Sequence, residues 1–407
     1  MKSVEKHLIK PNDEYFNSIK EICHKSKNLY NYANDIIRQD FIANKSIPKA
    51  YDLTTKLAKE KQADYIALPA QSSQQIIKFL YNDWKSFFTA LEYYKKDKTK
   101  FNNSPGIPKC KKKEGFIVVF SNQQAEIKQG KSLNTIHFPK STNLKPIITK
   151  IDIQTSTLKQ VRIIPKSTCF VVEVVYECSA KATNLIENSF LSIDLGFYNF
   201  VTSIDSQSKQ SFIIKSGEIK SVNHNFNQSR AKYQQKLKLS NNKIYSQKLA
   251  NLALQRDCKI NNFMHKASDF IIKHCVEHKI ANIVIGYNAG WKQEIDLGKK
   301  TNQNFVSIPY NSFIEKMAYK CEVYGIKLHL TEESHTSKCD HLAGEEMKHQ
   351  ERYLGERINR GLFKSSTGKY INADLNGAIG IARKIFPNAV QTLRDSGTSF
   401  VPVKISI

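Results

Sequence analysis

Apolar residues recur at helical spacing over residues 13–39, where Tyr15, Ile19, Ile22, Cys23, Leu29, Tyr30, Ala33, Ile36 and Ile37 fall on one face behind the start signal Pro11-Asn12. The same spacing predicts a second amphipathic helix over 72–94. Its stripe is Ile76, Leu80, Trp84, Phe87, Phe88 and Leu91, opposite a polar face with Gln74, Gln75, Lys78 and Lys85. Residues 95–113 then break the pattern with lysines 95, 96, 98, 100, 109, 111, 112 and 113 around Pro105-Gly-Ile-Pro108. That composition suits either a solvated linker or a phosphate contact. Beyond it the period becomes two, predicting strands over 116–120, 135–138, 147–154, 160–165 and 168–176. Short strands separated by turns point to a small antiparallel barrel. Residues 3–10 offer one more strand, which makes the helices an insertion into that barrel.

From residue 188 the order of elements changes. Strands are expected over 191–194, 200–204 and 211–214, followed by a long helical stretch ending in Ile260, Phe263, Met264, Ala267, Phe270 and Ile271. An apolar strand (281–285), a helix (312–324) closed by Gly325, a strand (327–331), a polar insertion and a helix (372–384) complete the order βββ-α-β-α-β-α. Right-handed crossovers with a central first strand give the spatial order 3-2-1-4-5, the RNase H-like arrangement. The fold class expected is therefore α+β multidomain, a small antiparallel barrel with a helical insertion followed by an RNase H-like α/β domain.

Charge narrows the partners. The 407 residues carry 62 Lys plus Arg against 37 Asp plus Glu, a formal net charge of +25. Such a surplus repels itself in a compact chain and points to a polyanion, with nucleic acid the natural candidate because phosphate neutralisation releases counterions. The eight cysteines are scattered without a Cys-X-X-Cys pair, which argues against a disulfide framework. The first nine residues lack an apolar core and no 18-residue apolar run occurs, so the expected location is cytoplasmic, nucleoid-associated when DNA is bound, with no membrane contact and no small-molecule substrate.

Two carboxylates stand out. Asp194 follows apolar residues in Leu-Ser-Ile-Asp-Leu-Gly, and a charge inside an apolar strand is costly unless paired or metal-bound. Asp374, in Ile-Asn-Ala-Asp-Leu-Asn-Gly-Ala, opens the last helix, where the helix dipole alone would favour it. In the expected sheet both converge with a third carboxylate from a neighbouring strand. Such a set holds two divalent ions about 3.5–4 Å apart, and Mg²⁺ fits because it takes few carboxylates and keeps open positions.

These motifs, with Leu68-Pro-Ala-Gln-Ser and Phe120-Ser-Asn-Gln upstream and the segment from Thr331 to Ser337, resemble the TnpB family of transposon-encoded RNA-guided nucleases. That family is related to the type V CRISPR effectors and the Fanzor proteins. The resemblance implies a wedge barrel (1–10 and 105–185), a helical recognition insertion (11–104), a RuvC nuclease domain (188–395) with an insertion at about 338–370, and a C-terminal tail (396–407). It also implies a guide RNA from the transposon end and a double-stranded DNA target whose short adjacent motif is read by protein while base pairing reads the sequence. Ser121 and Asn122, and Gln75 and Lys78 on the second helix, resemble positions that touch DNA; Gln and Asn suit adenine edges.

Two departures matter. The family strand that usually ends in glutamate here reads Ile283-Val-Ile-Gly286, followed by Tyr-Asn-Ala-Gly-Trp-Lys-Gln. The adjacent strand ends in Thr331-Glu332-Glu333-Ser334, and strands lie about 4.8 Å apart, within reach of a glutamate. Glu333 fits best as the third ligand, since Glu332 would share the face of Leu328 and Leu330; Glu332 is the backup. The second departure is in the insertion, which offers Cys339, His341 and His349 without paired Cys-X-X-Cys motifs, so Zn²⁺ is not expected. Its Arg352, Arg357, Arg360, Lys364 and Lys369 suit nucleic-acid backbone contact instead. The leading expectation is a Mg²⁺-dependent endodeoxyribonuclease; a nuclease-inactive guided repressor and a DNA-joining transposase are the alternatives.

Overall fold

The computed structural model describes residues 1–112, 115–181, 183–241, 243–288 and 307–407. Lys113 and residues 289–293 of the motif after Gly286 lie outside them. The fold is mixed α+β, in two compact units, Met1–Ser179 and Ala180–Ile407. Among the described residues no helix is long and apolar enough to cross a membrane.

In the first unit, β1 (Lys2–Ile9) precedes helices α1 (Phe16–Ile42), α2 (Ala50–Lys59), α3 (Ala63–Ile66) and α4 (Ala70–Lys96). Strands β2 (Val118–Ser121), β3 (Glu126–Lys128), β4 (Asn134–His137), β5 (Ile147–Thr149), β6 (Ser156–Pro165) and β7 (Phe170–Cys178) follow. β1 joins β7 antiparallel, in the order β1-β7-β6-β2, so the helices are indeed inserted after a strand of this sheet. The expected barrel does not form. Among the described residues, β3-β4-β5 makes a separate antiparallel sheet, and no ladder joins it to the four-stranded one. The reason lies in the helices. Ile19, Leu29, Ile76 and Trp84 share one core with Phe120, Val161, Ile163 and Val172 and with Ile136 and Ile147 of the three-stranded sheet, so helices fill part of the interior that a closed barrel would keep to its own strands. For the same reason the segments expected as a separate barrel and recognition insertion form a single unit.

The lysine-rich segment after α4 is not a free linker. Asn34 Nδ2 and Arg38 donate to the Pro108 carbonyl, each at 3.0 Å. Asn31 exchanges two hydrogen bonds with the Lys111 backbone, and the Lys111 ammonium meets Asp83 at 3.0 Å and the Tyr30 ring at 4.3 Å. Lys109 and Lys112 remain exposed.

The second unit contains β8 (Ile186–Asp194), β9 (Asn199–Asp205), β10 (Gln210–Lys215), α5 (Gly217–Asn241), α6 (Gln247–Glu277), β11 (Ile280–Gly286), α7 (Tyr310–Tyr324) and β12 (Lys327–Thr331). The insertion forms the antiparallel strands β13 (Glu356–Asn359), β14 (Leu362–Lys364) and β15 (Tyr370–Asn372), and α8 (Ala373–Ile385), α9 (Ala389–Asp395) and β16 (Ser399–Ile405) end the unit. The central sheet has the order β12-β11-β8-β9-β10-β16. Counted from β8, its first five strands run 3-2-1-4-5, with β11 and β12 parallel to β8 and β9 antiparallel to it. Residues 396–407 are not a tail: β16 pairs in parallel with β10. Pro402 within it argues against a strand on sequence grounds, but proline is tolerated at a sheet edge.

Period-2 alternation divides the sheet into two faces. Leu191, Ile193, Ile283 and Ile285 point into a core with α6 and α7, while Phe190 and Ile204 pack with α8 and α9. Ser192 donates to the Ala378 carbonyl at 2.6 Å and Phe386 stacks on Phe190 at 5.0 Å, pinning α8 across β8. Asp194 therefore shares the α8 face with Phe190 and Ser192.

The residues before β13 anchor α8 from outside. Buried His341 has both ring nitrogens engaged: Nε2 at 2.7 Å from the Thr336 carbonyl, and Nδ1 at 2.9 Å from the Arg383 guanidinium. The carbonyl can only accept and the guanidinium can only donate, which fixes a neutral ring protonated on Nε2. Burial lowers the His341 pKa to about 4, with Arg383 adding to that and the Thr336 bond opposing it. Cys339 is buried with Sγ 3.5 Å from the Glu346 carbonyl, and buried Asp340 accepts from Ser365 and Ser366. His349 joins neither network.

The folded His341 pKa lies below that of an unfolded histidine, so the unfolded chain binds the extra proton. Stability from this site is complete above about pH 6.5 and is lost as pH falls toward 4, by up to about 3 kcal/mol. Denaturant titrations at pH 7.5 and 5 should show that loss in the parent and a clearly smaller one in His341→Gln. An equal loss in both would remove His341 as its source.

Candidate metal centre

β8, β11 and β12 are parallel, so their C-terminal ends share one edge of the sheet, where ligands commonly bind in α/β folds. Asp194 ends β8, half-buried. Gly377 in the second turn of α8 lets the helix backbone come close: a Cβ there would lie 3.0 Å from Asp194 Oδ2. Asp374 opens α8, whose first amides are capped by the Asn372 side chain at 3.0 and 3.2 Å. The Asp374 carboxylate accepts from Asn199 Nδ2 at 2.8 Å and meets the Arg357 guanidinium at 3.5 Å.

Glu333 enters from beyond β12. Its backbone N–H donates to Asn288 Oδ1 at 3.0 Å, and its carbonyl accepts from the Thr336 hydroxyl at 2.8 Å. Gly286, paired with Thr331 across the β11–β12 ladder, leaves the space that Glu333 occupies. A Cβ on Gly286 would lie 2.7 Å from both Glu333 Cγ and Oε1, and 2.5 Å from Ile381 Cδ1. The Glu333 side chain thus fills the volume that a side chain at position 286 of β11 would take. Glu332 is exposed, as is Leu330.

Electrostatics connect the three groups. Burial, then the Glu333 and Asp374 charges, push the Asp194 carboxyl well above the usual range, against a lowering by Arg357. Burial raises Glu333 to about 7, opposed by Lys384. Burial and then these same two carboxylates, Asp194 and Glu333, raise the phenol of Tyr310, which donates to the Gly196 carbonyl at 2.9 Å. Glu333 Oε1 is buried without a hydrogen-bond partner, and so is the hydroxyl of Thr202, which sits opposite Asp194 on β9. Among the described residues no three His, Cys, Asp or Glu side chains are drawn together into a ready-made metal cage. Asp194, Glu333 and Asp374 nevertheless fit divalent ions. They are hard oxygen donors, Arg357 and Lys384 offset their charge only in part, and one presents an orphaned buried oxygen.

Sequence reasoning placed Asp194, Glu333 and Asp374 together. It did not assign Asn199 or single out Arg357 from the other basic residues of the insertion, because neither sits in an apolar context that marks it. The positions proposed for DNA contact lie in the first unit, around the start of α4 and the turn after β2. Ser121 is hydrogen-bonded to Gln71, and Gln71 Nε2 donates to Gln123 Oε1 at 2.5 Å. Gln75 and Lys78 follow Gln71 by one and two turns of α4, and Asn122 is exposed. Helix and turn therefore present one polar patch.

Because Asp194 and Glu333 have raised folded pKa values, their contribution to stability falls as pH rises through those values. Neutral isosteres should relieve this. At pH 8 in EDTA, Asp194→Asn and Glu333→Gln are expected to melt above the parent by roughly 2–6 °C, equivalent to about 1–2 kcal/mol in a unit of this size. Mg²⁺ should raise the parent's melting temperature more than theirs. Variants that melt below the parent in EDTA would contradict the repulsion.

Two sequence families match the second half of the chain. OrfB_IS605, described as a probable transposase, covers residues 173–292, and the TNB domain of Cas12f1-like proteins covers residues 310–381. No curated protein matches the chain. Among solved structures, the chain is similar to the Cas12f1 of a Cas12f1–sgRNA–target DNA complex, with a TM-score of 0.56 and 14% identity over 89% of this chain and 81% of that one. The mini-RNA-guided endonuclease CRISPR-Cas_phi3 matches with a TM-score of 0.46 and 10% identity over 96% of this chain and 93% of that one. At such identities the likeness to Cas12f1 is one of fold. The two family matches, over residues 173–292 and 310–381, and the fold likeness to Cas12f1 together support a TnpB-like family for this chain.

Proposed function

We propose that this protein is an RNA-guided, Mg²⁺-dependent DNA endonuclease of a mobile element, which cuts guide-matched double-stranded DNA beside a short target-adjacent motif. The observation that carries the proposal is Glu333 Oε1, buried, unpartnered, and seated in the volume vacated at Gly286 next to Asp194. A non-catalytic domain would have little reason to keep an orphaned carboxylate beside two others.

In this reading the second unit is an RNase H-like RuvC domain, and Asp194, Glu333 and Asp374 hold two Mg²⁺ ions. When bound, the metals supply an activated water and stabilise the leaving oxygen of phosphodiester hydrolysis. The protein contributes position. Asn372 caps α8 and so orients Asp374, Asn199 holds its outer oxygen, and Asn288 fixes the backbone of Glu333. Such outer partners set ligand geometry and affinity. Arg357, 3.5 Å from Asp374, would supply a positive charge toward a substrate phosphate. One centre of this kind cuts the two DNA strands in turn. In the first unit, Ser121, Asn122, Gln75 and Lys78 would read the adjacent motif, while guide RNA would neutralise much of the +25 charge.

The test is cleavage of matched plasmid by the full chain purified with the RNA transcribed from its element's end. Asp194→Ala, Asp374→Ala and Glu333→Ala should each slow cutting by more than about a hundredfold. Asn199→Ala should fall in the 10–100-fold range of outer-sphere partners, and Glu332→Ala within about twofold of the parent. Moving the carboxylate back, in the double variant Gly286→Glu with Glu333→Gly, should recover part of the activity lost in Glu333→Gly. Full activity in Glu333→Ala would refute the assignment of the third ligand. A parent that binds matched DNA under guidance but never cuts it would make the protein a guided repressor, and strand-transfer products formed without RNA would make it a transposase.

A further inference from the structure

Burying a hydroxyl without a hydrogen-bond partner is costly, and such groups are rare in folded chains. β9 holds two of them in succession, Thr202 Oγ1 and Ser203 Oγ, on residues that are 1% and 0% exposed. Period-2 alternation sends the two side chains to opposite faces of the sheet. Ser203 pairs with Ile193 of β8, whose side chain lies in the core with α6 and α7, whereas Thr202 pairs with Asp194. Directly paired side chains stand on one face with Cβ atoms about 4.5–5.5 Å apart. The Thr202 hydroxyl and the Asp194 carboxylate are therefore neighbours on the α8 side. The next pair on that face, Ser192 with Ile204, lies against α8, where Ser192 donates to the Ala378 carbonyl and Ile204 packs with Ala378.

The other two carboxylates have partners that fix them. Asn199 donates to Asp374, and Asn288 and Thr336 hold the backbone of Glu333. Among the described residues no hydrogen bond reaches the Asp194 carboxylate, and Gly377, close to its Oδ2, has no side chain with which to donate. An ionised carboxylate has about four lone-pair sites, more than metal ions take. A donor without an acceptor thus stands opposite an acceptor without a donor. Packing does not ask for the hydroxyl, since valine would fill the same volume in a strand and leave no orphaned group.

We propose that Thr202 is a positioning residue of the carboxylate centre, whose hydroxyl donates to Asp194 and turns that carboxylate toward the divalent ions. The inference rests on the metal-centre reading and completes it, giving Asp194 the kind of outer partner that Asn199 is to Asp374. Such partners set ligand orientation and ion affinity without touching the ion. A hydroxyl suits the place because it rotates to follow the carboxylate and carries no charge to compete with the ions.

The experiment follows the melting temperature of the full chain from EDTA to saturating Mg²⁺, for the parent, Thr202→Val, Thr202→Ser and Ser203→Ala. In EDTA, Thr202→Val should melt at or above the parent, since it loses only an unpartnered hydroxyl. The midpoint of its Mg²⁺-induced rise should move to a concentration at least about tenfold higher, the scale of a lost outer partner. Thr202→Ser, which keeps the hydroxyl, should keep the parent's midpoint. So should Ser203→Ala, whose orphaned hydroxyl lies on the other face. A Thr202→Val that melts below the parent in EDTA would show a hydroxyl serving the fold alone and overturns the proposal. If the parent responds to Mg²⁺ and Thr202→Val shares its midpoint, Thr202 is refuted and the metal centre stands. A parent whose melting temperature ignores Mg²⁺ refutes both.

Discussion

Mutual repulsion among Asp194, Glu333 and Asp374 is the constraint around which the second unit is built. Each carboxylate would be better solvated apart, so the fold must hold them where they are. It does so with packing and directed hydrogen bonds. Ser192 and Phe190 fix α8 over β8, and Gly377 lets the helix backbone come down beside Asp194. His341 and Arg383 brace the helix from outside. Parallel pairing of β8, β11 and β12 brings all three strand ends to one edge. The result is a set of carboxylates whose burial and like charge disfavour ionisation, a penalty the proposed metal ions would relieve.

The proposed third ligand sits in a volume that two neighbouring chain segments could each fill. Position 286 and position 333 lie on adjacent strands, and the space at the strand edge admits one side chain from either. A glutamate at both would put two chains in one volume, because a Cβ at 286 already meets the Glu333 side chain at 2.7 Å. Gly286 and Glu333 are therefore sterically coupled: the glycine leaves the room that the glutamate takes.

Much of this was legible in the sequence because it depends on period and on polarity out of place. The stripes of α1 and α4 announce helices, and Leu-Ser-Ile-Asp194 announces a charge at the end of a buried strand. The preference for Glu333 over Glu332 rests on its resemblance to a family glutamate just before Thr336-Ser337, and on alternation, which puts Glu332 on the face of Leu328 and Leu330. What stayed hidden depends on partners distant in the chain. β16 contains Pro402 and resembles a loop until β10 is known to need an edge partner. β13 is exposed along its length and gives no alternating signal. The barrel was inferred from short strands, but nothing local to those strands reveals that Ile19, Leu29 and Trp84 will join their core. Asn199 and Tyr198 are ordinary turn residues until Asp374 and Arg360 arrive from residues far downstream.

The surplus of positive charge is not spread evenly, and its distribution bears on mechanism. In the first unit the lysine-rich segment is held against α1 and α4 by Asn31, Asn34 and Arg38, so Lys109 and Lys112 are presented on a fixed backbone. In the second unit α5 carries its cations on an exposed helix whose first turn, through Lys220, meets the Phe197 and Tyr198 rings after β8. A rigid array suits a partner that stays bound through many turnovers, since ordering costs are met once in folding. An exposed helix suits a partner that comes and goes. The same net charge can therefore retain one partner and exchange another, and the difference lies in how firmly each set of cations is tied to its own core.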